Sequence, residues 1–260
     1  MKKTFTIIIS IILVLSMAAC SKSEGKSDLD YVMEKGVLVV GVTEFEPMDY
    51  LDKNGEWVGF DADLAAAFAE SLGIKAEFVK IEWANKSMEL SGKTVDCIWN
   101  GMTLNDEVKA AMECSNAYCG NAQIVILPAE KAEQYKTAED MKELVFAVEN
   151  GSAGQKAAEE AGFEFTPVLS QSDALMEVAS GTSDAAIIDS LMAAAMVGEG
   201  TGYPSLTYTI SLTTEEYGVG FRKGSGLAEK LNDFFKKAYE DGSLLSMAKK
   251  YGMQAAIIEQ

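Results

Sequence analysis

The stretch Cys97 to Tyr118, C-I-W-N-G-M-T-L-N-D-E-V-K-A-A-M-E-C-S-N-A-Y, has residue types and spacing suited to holding a charged ligand. Val95 to Trp99 is an apolar run that reads as a short strand, and Asn100-Gly101 behind it is a turn signal. Thr103 followed by Asp106 has capping-box spacing, and Asn105, Asp106 and Glu107 put acceptors in a first helical turn. A strand feeding a polar loop and a helix N-terminus leaves backbone N–H groups facing open space, where an anionic group can be held. An ordinary strand–helix connection has the same local pattern, so the rest of the chain must decide.

Much other chemistry is excluded by composition. The chain has no histidine, which removes imidazole metal ligands and Ser-His or Cys-His catalysis. Cys97, Cys114 and Cys119 are not spaced as a zinc site; Cys114 and Cys119 are close enough for a small loop disulfide, and buried thiols fit equally well. No cofactor is expected. The formal charge of -18 becomes -20 without Lys2 and Lys3, which argues against nucleic acid as a partner. Gly151-Ser152-Ala153-Gly154 lacks the lysine and spacing of a phosphate loop.

Residues 1–20 read as a secretory signal: a basic start at Lys2 and Lys3, an apolar run from Phe5 to Met17, then Ala18-Ala19-Cys20. A cysteine directly after two small residues looks like the lipid-acceptor cysteine of bacterial lipoproteins. Cys20 is therefore expected to be lipidated, with 21–28 a flexible tether and the protein anchored outside the cytoplasm.

The elements that position the Cys97–Tyr118 stretch alternate. Val37 to Val42 is an apolar strand, and Asp61 is expected to cap a helix in which Leu64, Phe68 and Leu72 form one stripe. Ile74 to Ile81 is the next strand, and a short helix or loop leads into Val95. A second alternation runs from Asn121 to Leu212: strands at 144–148 and 184–188, the latter ending in Asp189-Ser190, with helices between them. Such alternation predicts α/β lobes, each a mainly parallel sheet flanked by helices, with ligands at the carboxyl ends of the strands. The piece 213–260 is too small for its own core and is expected to complete the first lobe. The chain then crosses between lobes twice, with lobe 1 at 29–121 and 213–260 and lobe 2 at 122–212. Two adjacent crossings make a hinge and a cleft.

In this order and spacing, L-V-V-G-V-T-E-F-E-P-M-D-Y (38–50), G-E-W-V-G-F-D-A-D-L-A (55–65), V-D-C-I-W-N-G-M-T (95–103), V-E-N-G-S (148–152), S-D-A-A-I-I-D-S (183–190) and Y-G-V-G-F-R-K-G-S-G-L (217–227) resemble the extracytoplasmic amino-acid-binding proteins of ABC importers, the polar amino-acid branch of the type II periplasmic-binding fold. The resemblance implies a monomeric, non-enzymatic binder that passes a small amino-acid-like solute to permease subunits. It implies that Asp189 holds the solute's ammonium, that Thr103, Ser152 and the backbone around Asn100, Gly101 and Met102 hold its carboxylate, and that Phe45 or Tyr50 packs against it. An enzyme of the same fold and a lipid-anchored sensor are the alternatives.

The chain departs from the family at Cys114 and Ala117, where the F-S-x-P-Y pattern becomes C-S-N-A-Y, and at one position that matters more. The family's G-M-T-x-T-x-E-R pattern puts an arginine where this chain has Val108. Three outcomes follow: Lys109 or a residue of the second lobe substitutes, hydroxyls and N–H groups suffice, or the solute lacks an α-carboxylate. Glu46 and Glu149, in loops near the expected cleft, would favour a cationic portion.

Overall fold

The computed structural model describes residues 26–260. Residues 1–20, read from sequence as a signal ending at Cys20, lie outside the described residues. Helix α1 (Asp28–Lys35) is capped by Ser27, whose hydroxyl accepts the Asp30 N–H.

The first sheet is built on β1 (Val37–Val42). On one side it pairs in parallel with β4 (Lys75–Lys80), on the other with β5 (Cys97–Thr103). Between β1 and β4 lie a small hairpin, β2 (Tyr50–Leu51) with β3 (Trp57–Val58), and helix α2 (Phe60–Ser71). The α2 stripe of Phe60, Leu64 and Phe68 is buried as its four-residue spacing requires. Its start differs from expectation. Gly59 is the cap, at φ +136, and a Cβ there would meet the Met48 carbonyl oxygen at 2.1 Å. That places Asp61 inside the first turn, facing inward, where its carboxylate accepts the Gly101 N–H at 2.8 Å and the Tyr118 hydroxyl at 2.7 Å.

Helix α3 (Lys86–Ser91), entered through a 3-10 turn at Trp83–Asn85, precedes β5. The expected break at Asn100-Gly101 is an irregularity within the strand and not its end: the pairing with β13 (Glu215–Phe221) shifts register between Ile98 and Met102, and β5 runs on to Thr103, opposite Tyr217. Helix α4 (Asp106–Ala111) follows, capped by Asn105 and not by Thr103; the Asn105 Oδ1 accepts the Val108 N–H at 2.9 Å. Strands β6 (Glu113–Cys114) and β7 (Cys119–Asn121) also pair with β13. The C-terminal tail lies along β7, with the Gly120 N–H donating to the Ala256 carbonyl.

The second sheet has the order β10-β9-β11-β8-β12: β10 (Glu164–Val168), β9 (Val145–Glu149), β11 (Ala185–Asp189), β8 (Gln123–Pro128) and β12 (Leu206–Ser211). Helices α5 (Ala153–Ala161), α6 (Gln171–Ser180) and α7 (Ser190–Met196) cover it. Both sheets are mixed: β4, β1 and β5 in the first and β10, β9 and β11 in the second pair in parallel, and one strand in each, β13 and β8, runs antiparallel to all the others of its sheet. The chain passes between the sheets between β7 and β8 and again between β12 and β13. Helices α8 (Leu227–Glu240) and α9 (Ser243–Lys250) close the first lobe, with Leu227, Leu231 and Phe235 of α8 buried. Cys97, Cys114 and Cys119 are free thiols; the small loop disulfide left open by their spacing is absent.

Candidate functional site

The carboxyl ends of β1, β5, β9 and β11 converge on one cavity of about 340 Å³ between the sheets, reached by Thr43, Thr103, Glu149 and Asp189. This is where open α/β sheets bind ligands.

Its first-lobe wall is the strand Asn100–Thr103 with Phe45 and Trp83. The Asn100 side chain is fully used in holding the wall: its Oδ1 accepts the Thr43 N–H (3.0 Å) and hydroxyl (2.7 Å), and its Nδ2 donates to the Asp49 Oδ2 at 2.7 Å. Gly101 sits at φ +55, and a Cβ there would come within 2.5 Å of the Phe45 ring. Glycine is therefore what lets Phe45 close over the strand. The Thr103 hydroxyl donates to the Glu215 Oε1 at 3.0 Å.

The second lobe supplies the acids. Asp189 is 5% exposed and Glu149 3%, and both line the cavity. The Asp189 carboxylate accepts from the Tyr217 hydroxyl at 2.6 Å, from the Gln123 Nε2 at 2.7 Å, and from the side-chain amides of Asn121 and Gln171. Asn121 and Gln123 also donate to the Glu215 Oε1, each at 2.7 Å. Burial pushes Asp189 up to about 7, helped by the Glu215 charge and opposed by the Tyr217, Gln171 and Gln123 bonds. Burial pushes Glu149 up to about 8, with the Asp189 charge adding to it. Two neighbouring buried acids are costly to ionise together, so the floor of the cavity favours a cation. Ser152 caps α5, its hydroxyl accepting the Gln155 N–H at 3.1 Å, and stands at the cavity edge beside Gly151 and Ala153.

Of the residues expected from sequence, Asp189, Thr103, Ser152, Gly101, Met102, Phe45 and Asn100 line this cavity. Tyr50 does not; it lies in the hairpin, in the field of Glu46, Lys250 and Asp63. Glu46 is exposed and away from the lining, whereas Glu149 is the end of a strand, not a loop residue. Val108 is on the lining and packs in an apolar cluster with Ile81, Trp83, Met102 and Met112. Lys109 is exposed and does not reach the cavity. Sequence reading missed Lys86 and Gln171; both lie in segments whose approach to the cavity is set by lobe packing and not by local pattern.

Residues 38–254 match a family described as bacterial extracellular solute-binding proteins, family 3. A probable histidine-binding protein of Neisseria gonorrhoeae is 29% identical over 263 residues, covering 93% of this chain and 94% of that one. Among solved structures, an ancestral amino acid-binding protein, a precursor of cyclohexadienyl dehydratase, superposes with a TM-score of 0.80 at 31% identity, covering 86% of this chain and 99% of the other. The substrate-binding protein of an ABC uptake transporter from Streptococcus pneumoniae, with bound histidine, superposes with a TM-score of 0.81 at 28% identity, covering 90% and 99%.

Proposed function

The chain belongs to the bacterial extracellular solute-binding proteins, family 3, and on that premise we propose that it captures an amino acid in the cavity between its lobes and delivers it to the permease subunits of an ABC importer. The observation that carries this is Asp189: a carboxylate at a strand end, buried, lining the cavity, with Glu149 beside it. An ammonium group is the natural partner of such a site, because a dry cavity strengthens the pairing. The lobes, 29–121 with 213–260 and 122–212, close about the two crossings when the solute is held. Lipidation at Cys20 keeps the monomeric protein at the outer face of the cell membrane, next to its permease.

The test is a thermal-shift screen against the protein amino acids and their decarboxylated amines, followed by calorimetry. A native-state ligand must raise the melting transition. Stabilisation by an α-amino acid, lost in Asp189→Ala, is the expected result. Stabilisation by amines alone would mean that the solute class has changed with Val108. The dehydratase link of one relative makes a further check necessary: a binder returns its solute chemically unchanged after release. Lipidation is checked by the mass of the membrane-extracted protein, with the lipid increment absent in Cys20→Ala.

A further inference from the structure

The site has an acid for the solute's ammonium but no evident guanidinium for its carboxylate. Arg222 is the only arginine in the chain. Its Nε contacts Asp28 at 2.5 Å, its Nη2 contacts Asp96 at 2.9 Å, and its Nη1 donates to the Val95 carbonyl, away from the cavity lining. A bidentate arginine clamp is therefore not available from any position of this chain.

Two lysines line the cavity, Lys86 on α3 and Lys156 on α5. Lys156 has a half-exposed side chain that lies 3.8 Å from Glu160. Lys86 is the more enclosed. Its Nζ donates to the Gly151 carbonyl at 2.9 Å, across the interlobe gap, and sits 4.9 Å from the centroid of the Trp83 ring. Lys86 makes no ion pair among the described residues. Burial pulls its proton affinity down, and Glu149 and Glu107 act on it only through their fields.

Gly151 is the residue before the Ser152 cap, so the Lys86 ammonium is held at the entrance of α5. The first N–H groups of that helix, at Ala153 and Gly154, have no partner within the helix. An oxyanion seated on them would have the ammonium beside it. The cation comes from the first lobe and the helix from the second, so the anion would bridge the two.

We propose that Lys86, with the first turn of α5, takes the place of the absent arginine as the counter-charge for the solute's carboxylate, and that the cavity therefore selects solutes with a free carboxylate. This rests on the amino-acid reading above and adds the residue that sets its acid requirement. A lysine is a point charge on a flexible stem, not a planar fork, so it fixes the carboxylate's charge more tightly than its orientation.

The experiment is calorimetry of the wild-type protein, Lys86→Met, Lys86→Gln and Lys86→Arg against the twenty L-α-amino acids and the carboxamide of each one that binds. For the acid bound by wild type, both neutral variants are expected to lose about ten- to a hundredfold in affinity, the range of a charge-assisted hydrogen bond. Lys86→Arg retains most of the affinity. The carboxamide binds wild type weakly, and the neutral variants bind it no worse. Two neutral variants are used so that a folding defect in one leaves the other informative, and the wild-type acid-to-amide ratio needs no variant at all. Equal affinity of wild type and the neutral variants for the acid overturns the proposal and leaves the amino-acid function standing. Equal weakening toward acid and amide also overturns it, since Lys86 would then be only a lobe-to-lobe latch on Gly151. Failure of wild type to bind any of the twenty removes the amino-acid reading, and this proposal with it.

Discussion

Beneath β5 the first lobe buries Asp49 and Asp61; at the ends of β9 and β11 the second lobe buries Glu149 and Asp189. Burial raises the proton affinity of all four, and in each pair one acid raises that of its neighbour. Their surroundings differ. Asp61 is sealed between the Gly101 N–H and the Tyr118 hydroxyl, and Asp49 takes the Asn100 amide. Neither lines the cavity. Glu149 and Asp189 border the cavity, Asp189 while also accepting four side-chain hydrogen bonds. The difference lies in what faces each pair, since depth and titration run the same way in both. The first pair holds the strand that forms the wall, and the second is left to meet a solute.

Substitutions should separate the pairs, and the largest effect is expected at Asp189. Removing its carboxylate leaves a bound ammonium unpaired in a dry site, which costs about 3–5 kcal/mol. Asp189→Ala should abolish calorimetric binding, and it should also lower the ligand-free melting temperature, because it strands the Tyr217 hydroxyl and the Gln171 amide. Asp61→Ala should lower stability and leave binding intact. It strands the Gly101 N–H and the Tyr118 hydroxyl, at about 1–3 kcal/mol for each buried unpaired group. A denaturant midpoint shift of that size with binding retained in the folded fraction would sharpen the contrast. Equal loss of binding in both variants would break it.

The pH dependence comes next in size. Asp61 and Asp189 are pushed up to about 7 and Glu149 to about 8, against about 4 for ordinary carboxylates. A raised carboxylate binds its proton more tightly when folded. Its stabilising contribution is therefore complete below about pH 4 and is lost as pH rises through 7 to 8. The ligand-free melting temperature should fall across that window, and Asp189→Asn should flatten the slope. Solute affinity should run the other way, rising toward pH 8 as Asp189 ionises to meet the ammonium. Calorimetry in buffers of different ionisation enthalpy would show the proton released. The smallest effect is expected for Glu149→Gln, which removes the group pushed up to about 8 beside Asp189 and should lessen the pH slope of binding near pH 8 without abolishing it.

Much of this was legible in the chain itself. Strand ends followed by polar residues, as at Asp189-Ser190 and Glu149-Asn150, mark the converging face of an α/β sheet. Asp61 was misread because a polar residue before an apolar helical run looks like a cap, while the left-handed backbone at Gly59 starts the helix earlier and turns the carboxylate inward. Thr103 was misread for a related reason. Pairing with β13 keeps it in the strand and hands the cap to Asn105. Lys86 has no local signature, since its meaning depends on Gly151, 65 residues away in the other lobe.

Of the three tryptophans, Trp99 is sealed against Phe68, Tyr118 and Phe235, and Trp57 sits half-buried in the hairpin. Trp83 alone stands on the cavity wall, with the Lys86 ammonium over its ring. In optical terms the molecule carries one variable emitter and two steady ones. A solute arriving at that wall strips water from one indole and changes the electric field across it, while Trp99 serves as an internal standard. Occupancy can thus be read from intrinsic emission without a label, and Trp83→Phe should silence the change while leaving the background light in place.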